Sequence, residues 1–550
     1  LHFDDSEQSG AQLDELRRAV MLYHHAYVMV IDQLLQPIWR IENARAREKI
    51  DHVTQQHVLR LRRQKMRQGG LESLDTTGTT VVNTVGQVWL LTPAVYTLDL
   101  ASQLLLSLHA QFKLDVPAVS SGAVSVPEWV RVLIRLVSDD NPLVIAIAVK
   151  TFVSLLTLPA NGSLTPHVIH HVLHTTKSTR DMAHRLWEYI FAPQHQWQMS
   201  VIHYKAAALM IELHHLAPEA CEDVIAESLL AAASPELKVA HMQRFALLWR
   251  LTGEVPQASH INLGRTLFLM LDALHDEGPL VRLAGRTWLA ESLQRAERVL
   301  DPLLLVLLDS STAMSALTYQ YQHVYDHRRI LYVFKVLRAI IECDFRTFVS
   351  QTSAKPVSRD LIDKYDRQLV QSSGSVPSAV TPRTGAVDVL HAPPANYLEL
   401  LVVMALRFIA GQPPVKAPSE FITRNVDVQT TSAGFLQYLL LKITVPAKAR
   451  QLAHMIQDHV ISCLAQAVSE SSLILQVQLL QLLRTCVLID SLYPPVKAAS
   501  PTGTDGKSRD SEENSLAASP MFLQTLLVGL LQPSTNYNIR FYWVRIALMT

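Results

Sequence analysis

The chain of 550 residues carries 49 Lys and Arg against 49 Asp and Glu, which gives a formal net charge of zero at neutral pH. This balance provides no global electrostatic field that would attract nucleic acid or an acidic substrate. Hydrophobic residues make up 49% of the chain and glycines number only 18, a composition that excludes wholesale disorder and leaves a large apolar surface to bury.

The N-terminal part is predicted to be a polar linker over residues 1–15 and a helical segment over residues 16–68 that ends in a basic helix. Residues 40–68 hold nine Lys and Arg against three acids. Three interpretations of the basic helix remain open: a solvated helix end with cations near the negative end of the helix dipole, an anionic membrane surface, or nucleic acid. Nucleic acid has the least support, because no aromatic stacking partners or known reading motif accompany the cations. The residues predicted to contact an anionic phosphoinositide membrane surface are Arg60, Arg62, Arg63, Lys65 and Arg67.

After a predicted loop over residues 69–86, residues 87–351 show helical periodicity and no run of alternating strands. Three helices begin alike, with a turn residue, a proline and an aromatic nine or ten positions further on: "NPLVIAIAVKTF" (141–152), "SPELKVAHMQRF" (234–245) and "GPLVRLAGRTW" (278–288). Proline fits the first helical turn because its missing N–H has no partner there. Spacings near 40 residues are typical of helix-pair repeats, so the fold class is predicted as all-α, a HEAT/armadillo-like α-solenoid with disordered linkers.

Within this segment, "DPLLLVLLD" (301–309) raises the question of a membrane span. Its apolar run of seven residues is far shorter than the roughly 18 that a spanning helix needs. We therefore expect no transmembrane segment and interpret the run as a buried helix, with Asp301 as N-cap and Pro302 at the first helical position, preceded by a half-exposed helix over 286–298.

The next helix, in "HRRILYVFKVLRAIIE" (327–342), has a clear apolar face formed by Ile330, Phe334, Leu337 and Ile341. Four tryptophans also fall within apolar helical patterns and are predicted to be core residues: Trp129, Trp187, Trp249 and Trp288.

The C-terminal part is divided by composition. The predicted order is a flexible linker over 352–394, helical repeats over 395–493, a disordered linker over 494–516 and the start of further helical repeats over 517–550. Because the chain starts without methionine and stops inside an apolar pattern, we expect it to be a piece of a longer protein.

No catalytic signature is found in the sequence: phosphate loop, GxGxxG, GxSxG and HExxH motifs are all missing, so the prediction is a non-enzymatic protein without a cofactor. His167, His171 and His174 share a helical face, which favours an ordinary polar face over a metal site because a suitable further ligand is not apparent. The four cysteines form no CxxC pair, which fits buried thiols in a reducing compartment.

An ordered set of segments resembles the Dopey family of large eukaryotic trafficking proteins. The resemblance covers roughly residues 85–550 and is strongest over 180–345. It is carried by "RLWEYI" (185–190), "LHHLAPEACEDVIAESLL" (213–230), "RFALLWRLTGE" (244–254), "RTLFLMLDAL" (265–274), "LQRAERVLDPLLLVLL" (293–308), "VYDHRRILYVFKVLRAII" (324–341), "NYLELLVVMALRFI" (396–409) and "FITRNVDVQTTSAGFLQYLL" (421–440).

The resemblance implies a cytoplasmic protein that is peripheral on Golgi and endosome membranes and acts in endosome-to-Golgi retrieval. It also implies a large scaffold partner related to the Arf exchange factors, an aminophospholipid flippase and kinesin as further partners, and no nucleic acid. The alternative function is an ancillary helical-repeat subunit of a membrane channel complex.

Overall fold

The computed structural model describes the following residues: 5–42, 44–45, 48, 93–111, 127–139, 141–157, 178–190, 201–254, 263–308, 327–363, 394–410, 426–469, 473–492 and 537–549. These residues are helical apart from short turns and contain no strand. The chain divides into two compact units, Leu1–Thr266 and Leu267–Thr550.

The first unit is built from α-helices in two rows. They are α1 (Asp5–Met29, followed by a π-helical turn at Val30–Leu35), α2 (Pro93–Gln111), α3 (Glu128–Val137), α4 (Pro142–Thr157), α5 (Ser178–Tyr189), α6 (Val201–Leu216), α7 (Pro218–Leu230) and α8 (Pro235–Glu254). Helices α1, α3, α5 and α7 pack side by side in one row, and α2, α4, α6 and α8 form the other. Each helix also packs against its sequence neighbour in the opposite row, as in α3 with α4 and α5 with α6.

The second unit repeats this plan. Its helices are α9 (Gly264–Asp272, in the second unit from Leu267 on), α10 (Pro279–Ser292), α11 (Ala296–Leu308), α12 (His327–Cys343), α13 (Phe345–Ala354), α14 (Tyr397–Ile409), α15 (Val426–Lys442), α16 (Pro446–Ser469), α17 (Leu473–Leu492) and α18 (Tyr537–Met549). One row contains α10, α12, α15, α17 and α18, and the other contains α11, α13, α14 and α16. Two rows of stacked helix pairs are the architecture of helical-repeat solenoids, so the predicted fold class is confirmed.

The predicted helix starts are confirmed at the three proline-bearing motifs. Pro279 is at the first position of α10, Asn141 Oδ1 accepts from the backbone N–H of Leu143, and Ser234 Oγ accepts from that of Leu237. The motif aromatics Phe152, Phe245 and Trp288 are buried, as are the other three tryptophans predicted to be core residues.

The expectation for residues 286–308 was wrong in its boundaries. The break between the two helices is a 3₁₀ turn at Leu293–Arg295, and Pro302 lies inside α11. Proline inside a helix loses the hydrogen bond to the carbonyl four residues earlier, but Leu303, Leu304 and Leu307 are fully buried and hold the helix by packing. Asp301 does not cap; its side chain accepts a hydrogen bond from Tyr397.

The observed elements also differ from some predicted segment boundaries. Helix α1 begins at Asp5, within the predicted polar linker 1–15, and the division at Thr266 falls inside the predicted solenoid segment 87–351. The first residues of the predicted linker 352–394 are ordered against the core, because Val357 and Leu361 supply buried apolar side chains after α13. The predicted segments 69–86 and 494–516 lie outside the described residues.

By length and composition alone, one helix of the described part could cross a membrane, namely α17. It packs against α15, α16 and α18 instead. Polar side chains along it bond to its neighbours: Gln478 to Gln437 of α15, and Gln481 to Tyr542 of α18. These contacts are those of a core helix in a helical repeat.

Candidate interaction surface

The predicted basic site, Arg60, Arg62, Arg63, Lys65 and Arg67, lies outside the described residues and stays a prediction. The same holds for His167, His171 and His174. Among the residues that the structure does describe, no group of three or more His, Cys, Asp or Glu side chains is arranged to hold a metal ion.

The described residues of the second unit bring cations and an aromatic ring together on one row of helices. The basic aromatic surface, as we call it, consists of Arg286 of α10, Lys335 and Arg338 of α12, and Tyr438 and Lys442 of α15. The Arg338 guanidinium carbon lies 4.7 Å from the centre of the Tyr438 ring, and Lys442 Nζ lies 5.6 Å from it. Both distances are within the range of cation–π attraction, so the ring holds one cation from each of two neighbouring helices.

The amphipathic pattern of the two central helices explains how these side chains come to the surface. Ile330, Phe334, Leu337 and Ile341 of α12 are buried, as the sequence predicts, which turns Lys335 and Arg338 outward. In α15, Phe435, Leu436 and Leu439 are buried, and Tyr438 and Lys442 follow on the opposite side. Phe334 and Phe435 also touch, with ring centroids 5.3 Å apart, and this contact fixes the spacing of the two helices.

The electrostatics of the surface are dominated by its cations. Glu342 accepts from Arg338 Nε at 3.1 Å in an exposed ion pair. Burial lowers the pKa of His275, and the nearby charges of Lys335 and Arg286 lower it further against the opposing effect of Glu342. Desolvation of the hydroxyl is the main cause that raises the pKa of Tyr438, and the negative charge of Glu342 raises it further. With His275 neutral, positive charge therefore exceeds negative charge on this surface.

A line of side-chain amides continues the same row beyond Tyr438. Gln478 Nε2 donates to Gln437 Oε1 at 3.2 Å, and Gln437 Nε2 donates to Thr485 Oγ1 at 3.4 Å. Gln481 Nε2 donates to the Tyr542 hydroxyl at 2.9 Å. These half-buried groups link α15, α17 and α18 and retain further donor and acceptor capacity, because each amide offers two N–H groups and two lone pairs.

Histidines of the first unit act as packing groups. His24 Nε2 and His109 Nε2 are 3.0 Å apart, and both rings stack on Trp129 with centroids 5.0 and 5.3 Å away. Burial lowers the pKa of each to about 4, and the second imidazole adds to the effect at His109. The pair is therefore neutral at physiological pH and joins α1, α2 and α3. This cluster could not be predicted from the sequence, because its members are brought together only by helix packing.

Sequence reasoning also missed the basic aromatic surface. Lys335 and Arg338 lie on the same helix as the apolar face predicted for residues 327–342, but Tyr438 and Lys442 lie about a hundred residues further along the chain. A partial signal existed: Tyr438 and Lys442 are four residues apart, which places an aromatic and a cation on one helix face.

Comparison with known proteins gives two matching family models. One, described as "DOP1B-like, TPR repeats", matches residues 95–299, and the other, "DOP1 TPR domain", matches residues 316–477. Protein DOP1B of Mus musculus is 27% identical over 174 residues, which is 30% of this chain and 7% of the mouse protein. Protein DOP1B of Xenopus laevis is 28% identical over 172 residues, again 30% and 7%. The aligned segment thus spans a small part of these relatives.

Two solved structures are also similar over most of the chain, each at 13% sequence identity and a TM-score of 0.20. One is an engineered protein, with 83% of this chain and 96% of that chain covered. The other is the karyopherin Kap121p bound to the SUMO protease Ulp1p, with 86% and 49% covered. At this TM-score the similarity carries no argument about this chain.

Proposed function

The chain belongs to the Dopey family, and on that premise we propose that it is a non-enzymatic scaffold in membrane trafficking. The observation that carries the proposal is the tandem match of two family models over residues 95–299 and 316–477, which together cover most of the described helices. Stacked helix pairs expose long rows of side chains, a form suited to holding partner proteins.

The interior of the described part supports a scaffold in place of an enzyme. Two pairs of ionisable groups join neighbouring helices: in the buried pair His214 Nε2 lies 3.3 Å from Glu222 Oε1, and in the half-buried pair Arg450 Nε lies 3.0 Å from Asp490 Oδ1. Such pairs hold helices in register and leave these groups committed to structure.

The finer role follows from family membership by analogy. We propose action in endosome-to-Golgi retrieval and Golgi organisation, at the cytoplasmic surface of Golgi and endosome membranes. The proposed partners are a large scaffold related to the Arf exchange factors, an aminophospholipid flippase and kinesin. The basic helix with Arg60 to Arg67 would add contact with an anionic phosphoinositide surface, through attraction of about 1 kcal/mol for each basic side chain near the lipid.

The test is capture of the tagged full-length protein from gently lysed cells, together with microscopy of the same tagged protein. We expect an Arf-exchange-factor-related scaffold among the captured proteins and a Golgi and endosome distribution. Recovery of channel subunits with a plasma-membrane distribution, and no Golgi partner, would contradict the proposal and favour an ancillary channel subunit.

A further inference from the structure

The row of helices that carries the basic aromatic surface has a charge pattern suited to an anionic partner. Arg286, Lys335, Arg338 and Lys442 are exposed. Two carboxylates lie nearby: Glu342 forms an exposed ion pair with Arg338 through Nε, which leaves the other guanidinium nitrogens of Arg338 to a further carboxylate, and Asp344 accepts from the backbone N–H of Thr347 at the start of α13. The surface therefore offers positive charge on α10, α12 and α15.

Tyr438 adds an aromatic packing contact to this surface, in addition to the attraction between charges. The centre of its half-buried ring lies 4.7 Å from the guanidinium carbon of Arg338 and 5.6 Å from the ammonium nitrogen of Lys442. Tyrosine and arginine are enriched among the residues that dominate binding energy at interfaces. The guanidinium can also bind a carboxylate through two parallel hydrogen bonds, which gives it a directional preference for Asp and Glu side chains.

The neighbouring amides favour a polypeptide over a lipid surface. Gln437 lies beside Tyr438 on α15 and Gln478 lies on α17, one helix further along the row, and both carry donors and acceptors that match the main chain of an extended segment. A lipid headgroup layer supplies negative charge but no repeating amide groups. Packed helices are about 8–10 Å apart, so the distance from α10 to α17 is about 24–30 Å, which an extended segment of about eight residues spans.

We propose that the basic aromatic surface binds an extended acidic segment of a partner protein, with Arg286, Lys335, Arg338 and Lys442 pairing with its carboxylates and Tyr438 packing against its chain. This inference deepens the proposed scaffold function and rests on it for its cellular meaning. The occupant is defined by its chemistry: about eight extended residues rich in Asp and Glu.

The test uses the purified chain and a fluorescein-labelled peptide of twelve residues that alternates Glu and Ser. Fluorescence anisotropy reports binding, and a peptide that alternates Lys and Ser is the probe of opposite charge. We expect the acidic peptide to bind and the basic one not to. Affinity falls with rising salt, because exposed charges are screened. The double variant Arg338→Glu with Lys442→Glu should weaken binding about tenfold or more, since two attractive contacts become repulsive.

Matched variants separate a binding role from folding. Arg250→Glu reverses an exposed charge of α8 in the first unit and should leave peptide affinity unchanged. Tyr438→Phe keeps the aromatic ring and should keep most of the peptide affinity. Tyr438→Ala should lower that affinity about as much as the reversal of one cation of the surface. Circular dichroism of each variant confirms that its helices are intact.

The inference is overturned if the Arg338/Lys442 variant binds the acidic peptide as tightly as the wild type, or if both peptides bind equally. It is also overturned if the surface variants weaken binding only to vesicles that contain phosphatidylserine. Capture from cells remains an independent readout. Peptide binding without any trafficking partner contradicts the proposed function alone, and a captured partner with no peptide binding contradicts this inference alone.

Discussion

The Tyr397 hydroxyl donates a hydrogen bond of 2.6 Å to Asp301 Oδ1, across 96 residues of chain. It joins the first turn of α14 to the middle of α11, two helices of the same row in the second unit. The backbone N–H of Ser358 donates to the same hydroxyl at 3.3 Å. One tyrosine thus connects three segments that belong to successive repeats. Its side chain is buried and Asp301 is half-buried, so the contact is made at the edge of the core.

Removing this hydroxyl is expected to destabilise the second unit. Tyr397→Phe keeps the ring but deprives Asp301 of a donor, and hydrogen bonds to charged groups contribute about 1.5–3 kcal/mol. Urea unfolding of the wild type and the variant measures the loss. A double-mutant cycle with Asp301→Ala isolates the pair: the two substitutions together should cost less than the sum of the single ones.

The same pair has a predicted pH dependence. Burial raises the pKa of Asp301, and the hydrogen bond from Tyr397 opposes that rise because it favours the ionised carboxylate. The contribution of the hydroxyl is therefore present when Asp301 is ionised and is lost as pH falls and the carboxyl is protonated. The destabilisation by Tyr397→Phe should be larger at pH 7 than at pH 4. An equal loss at both values would show that the charge of Asp301 plays no part.

Acidification is expected to weaken the first unit through its buried histidines. The pKa of His24 and of His109 is about 4 in the folded chain, against an ordinary value of 6.5. Between these values the unfolded chain binds more protons than the folded chain, so stability falls as pH drops from about 7 towards 4. The substitution His109→Phe preserves stacking on Trp129 and removes one titrating group, so it should reduce this pH dependence.

The measurement is the urea midpoint of the first-unit transition at pH 7, 6 and 5 for the wild type and the variant. The pH dependence of the midpoint should become weaker in the variant without disappearing, because burial also lowers the pKa of His203 and His241. Substituting the exposed neighbour, His25→Gln, is the control and should leave the wild-type dependence in place. An unaltered slope in His109→Phe would show that the imidazole pair does not resist protonation.

Local features of the fold could be predicted from the sequence because they depend on residues within one or two turns. Pro279 at a helix start and the apolar face of α12 are examples. The break at Leu293–Arg295 could not be predicted, because Pro302 is a better helix-start signal than anything at the actual break, and only core packing allows α11 to continue through it. The basic aromatic surface could not be predicted for the same reason. Its residues come together only when successive repeats stack, and no local stretch of the sequence encodes that stacking.

Cavity formation in the core of one repeat is expected to remove stability and partner binding together. Trp288 of α10 is 3% exposed, so Trp288→Ala leaves a large void and should cost about 3–5 kcal/mol. Trp288→Phe removes less volume and should cost less. Unfolding curves give the energies, and capture of the tagged full-length protein gives partner binding. If Trp288→Ala is fully folded and yet loses its partner, Trp288 acts at an interface and not in the core.

The four thiols are expected to differ in reactivity according to burial. Cys221, Cys463 and Cys486 are buried, and burial raises the pKa of Cys463 to about 11 and that of Cys486 to about 12. Cys343 is only half-buried at the end of α12; burial raises its pKa as well, and the charge of Arg286 opposes part of that rise. Because reaction requires access to the sulfur and Cys343 is the least buried of the four thiols, iodoacetamide at pH 8 should label Cys343 first.

Mass spectrometry of peptides after timed labelling checks this order. The three buried thiols should react only when urea unfolds the chain, and the labelling of Cys221 should follow the transition of the first unit, to which it belongs. Cys343→Ser should remove the fast phase of iodoacetamide labelling and leave the slower labelling of the buried thiols unchanged. Early labelling of Cys486 in native buffer would instead show that α17, in which it is fully buried, opens without global unfolding.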